Sequence, residues 1–207
     1  IGRSQFGEEK YEDALQTYRR GAAEATDAKW RATFLFHASR AAQLAGNDAL
    51  TEQLMTAAIA VPGHWPATTA ALTQRIRTRV RQRRIADAAT DLALLRKIAP
   101  NDHAAVEGAL TYALAMIAYG NPRAAISALN TVPPALLTKM DQPEFAYWRA
   151  RALETIDAHA AFASYLAVLR SPVPTHFAYF ARDRLDSAAM APRLAAEITQ
   201  RDAEVKK

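Results

Sequence analysis

The 207 residues are half hydrophobic, contain no cysteine and carry a formal net charge of +5 at pH 7, which provides material for a core and excludes disulfides, thiolate chemistry and cysteine-based metal sites. Seven glycines and ten prolines are too few for a low-complexity chain, and no run of about 18 apolar residues is present to cross a membrane. The charge is local. Lys and Arg stand against Asp and Glu as 7 to 8 over residues 1–64, 8 to 2 over 65–100, and 11 to 11 thereafter, so an anionic partner would be drawn to one segment rather than to a uniformly basic surface.

In chain order, apolar spacing predicts a helix over Glu8–Glu24 with Tyr11, Ala14, Leu15, Tyr18 and Ala22 on its buried side, the second member of a pair whose first is missing or truncated. A helix over Ala28–Ala45 carries Trp30, Phe34, Leu35, Ala38 and Ala42; Gly46-Asn47-Asp48 turns it into a partner that ends at Val61-Pro62. The next pair spans Pro66–Gln82 and Ile85–Ala99, closed by Pro100-Asn101-Asp102. The fourth runs from His103 to Tyr119, turns at Gly120-Asn121-Pro122 and continues to Thr131, where Pro133-Pro134 must break it. A helical turn over Ala135–Met140 leads to a fifth pair, Pro143–Thr155 and Ala158–Arg170, and two further helices are expected over Thr175–Leu185 and Ala191–Glu204.

A period links these elements. Ala14, Thr51, Ala88, Ala125 and Ala161 recur at intervals of 37, 37, 37 and 36, and four residues after each comes Tyr18, Met55, Leu92, Leu129 or Tyr165. A small residue followed by a large one on the same helix face, repeated five times, implies stacked copies of one helical unit. The expected fold is all-α: a right-handed α-solenoid of antiparallel helix pairs with a 36–37-residue repeat. It forms a single domain over 1–207, in units of about 1–27, 28–64, 65–101, 102–142 and 143–174, followed by C-terminal helices over 175–207.

Tyr11-Glu12-Asp13-Ala14-Leu15 with Tyr18, and Ile85-Ala86-Asp87-Ala88 with Leu92, Leu95 and Pro100, resemble the second helices of tetratricopeptide repeats. The chain departs from that family in lacking its Trp-Leu-Gly first-helix pattern and in a period about three residues longer than the usual 34. A narrower likeness lies further on. The run Phe145-Ala146-Tyr147-Trp148-Arg149-Ala150-Arg151-Ala152-Leu153-Glu154, then Ala160-Ala161-Phe162 with Tyr165, then Thr175-His176-Phe177-Ala178-Tyr179-Phe180-Ala181 with Arg184-Leu185, resembles the end of the superhelical domain of soluble lytic murein transglycosylases. A weaker echo runs from Trp30 through Arg40-Ala41-Ala42 and Gly46 to Pro62 and His64-Trp65. The resemblance implies a periplasmic, noncatalytic scaffold that positions peptidoglycan or partner proteins for a catalytic domain elsewhere. That family's catalytic Glu-Ser dipeptide and its Gly-Leu-Met-Gln segment do not occur here, so this chain alone is expected not to be an enzyme. It opens on Ile1 without a charged-then-apolar leader and is expected to be a mature or excised segment.

Other chemistries find no support. The histidines at 37, 64, 103, 159 and 176 have no second histidine within five residues, no Gly-x-Ser-x-Gly elbow or Gly-rich phosphate loop occurs, and neither a metal nor a cofactor is expected. Phe145, Tyr147 and Trp148 would serve a sugar-stacking shelf only if they escaped the core. The one distinctive cluster is Arg75, Arg77, Arg79, Arg81, Arg83 and Arg84. With Leu72, Ile76 and Val80 as the buried stripe, Arg77, Arg81 and Arg84 fall along one flank and Arg75, Arg79 and Arg83 along the other. Arg40 precedes Arg77 by one period, so Arg40, Arg77 and Arg81, with Arg84, are the candidate ligand-binding residues. Pairing with Glu52, Asp87 and Asp91 on neighbouring helices is the competing role for these side chains. The alternative to the transglycosylase-like scaffold is a stand-alone tetratricopeptide-like adaptor that binds a protein or peptide, cytoplasmic if the transglycosylase likeness fails. Nucleic acid ranks third, because exposed aromatics do not interleave with the arginines.

Overall fold

The computed structural model describes residues 1–187 and, beyond them, 190, 192, 195, 196 and 199. Most of the helix expected over Ala191–Glu204 therefore lies outside the described residues. Within them every regular element is helical: α1 (Gly2–Gly7), α2 (Tyr11–Glu24), α3 (Ala28–Leu44), α4 (Asp48–Ala60), α5 (Pro66–Arg81), α6 (Ile85–Ile98), α7 (His103–Ala118), α8 (Pro122–Leu129), α9 (Asp141–Leu153), α10 (Ala158–Leu169) and α11 (His176–Leu185). A 3-10 turn, Pro134–Leu136, takes the place of the helical turn expected over Ala135–Met140. The chain's contacts group into two compact units, Ile1–Gly108 and Ala109–Lys207, where the period alone implies one.

The second helices α2, α4, α6, α8 and α10 place Ala14, Thr51, Ala88, Ala125 and Ala161 at their fourth residue, each fully buried. Tyr18, Met55, Leu92, Leu129 and Tyr165 are buried one turn later. The small side chain lets a neighbouring backbone approach, and the large one fills the groove beyond it. In the first unit α2 packs on α1 and α3, α4 on α3 and α5, and α6 on α5; the first helices α3 and α5 also touch directly. In the second unit α9 packs on α8 and α10, α11 on α10, and α9 touches α11.

Of the two alternatives for the first partner of α2, missing or truncated, the structure shows the second: it is the six-residue α1. Residues Glu8–Lys10 form a turn rather than the start of a longer helix, and the short α1 precedes it. That turn recurs. Glu9, Gly46, Arg83 and Gly120, spaced by 37, adopt φ of 60°, 80°, 59° and 73°. In each turn the next residue's N–H reaches back five residues: Lys10 to Gln5, Asn47 to Ala42, Arg84 to Arg79 and Asn121 to Met116, at 2.8–2.9 Å. This bond closes the last helical turn and satisfies an otherwise orphaned carbonyl. Where glycine occupies the left-handed position, an asparagine follows and caps the next helix, Asn47 accepting from the Leu50 N–H and Asn121 from the Ala124 N–H. Glu9 and Arg83 hold the same conformation against a Cβ clash.

One carboxylate ties the second unit. Glu154, just past α9, accepts from the Tyr165 hydroxyl on α10 and from Nε and Nη2 of Arg184 on α11 at 2.8 and 2.6 Å. Burial works against its charge, yet Arg184, Tyr165 and Arg151 together hold the carboxyl below the usual carboxylate range. Burial and the Glu154 charge push the Tyr165 hydroxyl far up. Glu154, Tyr165 and Arg184 thereby fasten α9, α10 and α11 together.

The turns and the Glu154 cluster can each be tested by substitution. Gly46→Ala should cost about 1 kcal/mol, since a Cβ there meets no neighbour and only the backbone is strained, while Glu9→Gly should gain about 0.5–1 kcal/mol; urea denaturation of both variants measures the difference. A folded pKa depressed below the unfolded value of 4.5 gives stability that is present above it and lost as pH falls through the folded pKa. Glu154→Gln should cost roughly 1–2 kcal/mol at neutral pH, a figure held low by the partial exposure of Arg184, and should reduce the loss of stability below about pH 4.5 in circular-dichroism melts.

Candidate functional site

Helix α5 divides its arginines. Leu72 and Ile76 are fully buried and Val80 nearly so, as the stripe requires, but α5 also packs on both α4 and α6, which makes the Arg75 flank interior. Arg75 is 8% exposed; its Nε and Nη2 donate to Asp91 at 2.9 and 2.6 Å and its Nη1 to the Thr56 hydroxyl at 2.8 Å. Arg79 donates to both Glu52 and Asp91. Arg84 donates to Glu52 and Asp87. Its bond holds the Glu52 carboxyl below the usual range against the opposing effect of burial, with Arg79 adding to the downward shift. Three guanidinium groups and three carboxylates thus cancel across α4, α5 and α6.

Arg84 therefore lies in this network and does not join Arg40 and Arg77. The reason is the turn: the left-handed Arg83 redirects the chain, so Arg84 leaves the surface that α5 presents at Arg77. Arg77 and Arg81 remain exposed. Arg77 donates to Gln74 at 3.0 Å, and Gln74 donates to Gln43 on α3. The Arg40 guanidinium stands over the Phe6 ring at 5.3 Å.

Arg40 and Arg77 line one cavity of about 410 Å³ with Phe36, Ala70, Thr73 and, from the start of α7, His103 and Glu107. Arg81 lies outside that lining. A second cavity of about 540 Å³, bounded by Trp65 and Pro100, shares Thr69, Asp102 and His103 with the first. Together they make a furrow on α3, α5 and the N-terminal turns of α7, with cations on two of its helices and acids on the third. A further arginine on the same period, not among the candidates named from the sequence, lies on α1 outside both cavity linings. Arg3 on α1 precedes Arg40 by 37 residues, so subtracting one more period finds it. Arg3 and Arg40 act on the same neighbours: burial first, then the charges of Arg40 and Arg3, hold the His37 imidazole below its usual pKa, and both arginines act on Tyr18, which stacks on His37.

The second unit has an apolar cavity of about 400 Å³ lined by Leu129, Val132, Leu137, Phe145 and Arg149 among others. Phe145 and Tyr147 are buried and Trp148 is partly so, leaving no three-ring shelf, while Tyr179 and Phe180 on α11 are exposed. Among the described residues no group of three or more His, Asp or Glu could hold a metal ion, and no helix is long and apolar enough to cross a membrane.

Antiparallel helix pairs with touching first helices and second helices in a common register define an all-α helical-repeat fold of the tetratricopeptide type. In particular, the chain is similar to the crystal structure of a thermophilic TPR protein of Thermus thermophilus, with a TM-score of 0.51 and 18% identity over 89% of this chain and 95% of that one. No protein-family model and no curated protein matches the chain.

The two sets of arginines should respond differently to substitution. Asp91→Ala leaves the buried Arg75 without its carboxylate and should destabilise the chain by about 3–5 kcal/mol. Arg77→Gln should stay within about 0.5 kcal/mol of wild type, because it removes an exposed charge with only Gln74 as partner. Thermal melts of the two variants provide the comparison.

Proposed function

We propose that the chain is a tetratricopeptide-like adaptor that binds an extended segment of a partner protein in the furrow across α3, α5 and the start of α7. The supporting observation is the joining of two cavities on these helices, lined by Arg40, Arg77, Asp102, His103 and Glu107 around a partly apolar floor of Phe36 and Ala70. Mixed charge over an apolar floor suits a peptide, whose backbone needs hydrogen bonds and whose side chains supply both signs. Peptides selected from a random library against the intact chain should bind here. Ala70→Trp, which fills the furrow from a half-buried position, should reduce their affinity at least tenfold by fluorescence anisotropy; undiminished binding would place the interaction elsewhere.

A second reading keeps the likeness to transglycosylase superhelical domains: α11 exposes Tyr179 and Phe180 beside the buried Phe177, a surface against which a further domain would pack. On that reading the protein is periplasmic and holds peptidoglycan for a separate catalytic domain. Purified sacculi should then bind the chain without releasing anhydro-muropeptides, and turnover by the chain alone would contradict its scaffold role.

A further inference from the structure

Arg3, Arg40 and Arg77 sit one period apart on the successive first helices α1, α3 and α5, and all three are exposed. Arg40 shares a cavity with Arg77 and stands over Phe6, three residues after Arg3 on α1, and Arg3 and Arg40 both act on His37 and Tyr18. Among the described residues none of the three is paired with a carboxylate, whereas Arg75, Arg79 and Arg84 on the opposite side are paired. The ladder stops at α7: the next position in the period is Leu114, and the furrow there is lined instead by Asp102 and Glu107.

We propose that these arginines form a three-rung ladder for an extended acidic peptide that carries Asp or Glu at every third residue and a basic residue at the end lying over α7. The spacing comes from geometry. Packed helices such as α3 and α5 lie about 8–10 Å apart, the same period carries Arg3 on α1, and a polyproline-II segment places every third side chain on one face at intervals of about 9 Å. Each rung then meets one carboxylate, while Asp102 and Glu107 favour a cation beyond the last of them. The inference rests on the adaptor reading, and charge complementarity selects the partner.

The test compares three labelled peptides of equal composition with the full chain: glutamates at every third position closed by a lysine, the same glutamates clustered, and the spaced peptide with its lysine moved among the glutamates. The spaced peptide should bind tightest and weaken as salt is raised. Arg3→Gln, Arg40→Gln and Arg77→Gln should each weaken it by roughly two- to fivefold, with Lys at the same sites restoring most of the loss, and Arg96→Gln on α6 should have no effect. Equal binding of spaced and clustered peptides, indifference to the rung variants, or displacement by heparin as effective as by the spaced peptide would overturn the ladder. If it fails while Ala70→Trp still blocks the selected peptides, the adaptor reading survives; if Ala70→Trp is also without effect, both fall.

Discussion

Close approach at one position in each repeat is the constraint on which the rest depends. With alanine or threonine as the fourth residue of every second helix, and a large residue one turn later, each hairpin closes in the same register. That register brings successive first helices into contact in both units, α3 with α5 and α9 with α11. In the first unit it also sets Arg3, Arg40 and Arg77 at equivalent places on three helices. A bulky side chain at the tight position would force the pair apart and disturb that placement.

The turns serve the same register by a second route. Four hairpins close with a left-handed residue and the same five-residue reach of an N–H, but only two use glycine there. Where arginine does so, the following Arg84 forgoes the asparagine cap used elsewhere and turns its side chain to Glu52 and Asp87. The third hairpin thus exchanges a local cap for a charge network spanning three helices. Strain at Arg83 accompanies that exchange.

Charged groups hold each unit in its own way. In the first, Arg75, Arg79 and Arg84 meet three carboxylates between α4, α5 and α6. In the second, Glu154 alone gathers α9, α10 and α11. Such groups cost desolvation and offset it only through complete hydrogen bonding, which both arrangements come close to achieving. The basic excess of the third repeat is therefore smaller at the surface than its count suggests, because about half of the arginine run is neutralised inside.

The sequence by itself determined not the short α1 but the helices from α2 to α11, their order and the equivalence of the five second helices, because a 3.6-residue periodicity and a 37-residue spacing are both one-dimensional signals. It also brought Arg40 and Arg77 together, and would have added Arg3 by one further subtraction. Only the tertiary structure decided which flank of α5 faces solvent. A helical wheel separates the Arg75 flank from the Arg77 flank but cannot show that α4 and α6 cover the former, and it continues the α5 helix through the turn, so Arg84 reads as an equivalent of Arg77 until its partners Glu52 and Asp87 are placed. The same holds for Glu154, whose partners lie 11 and 30 residues away: its role depends on how helices pack, and local patterning carries no record of that.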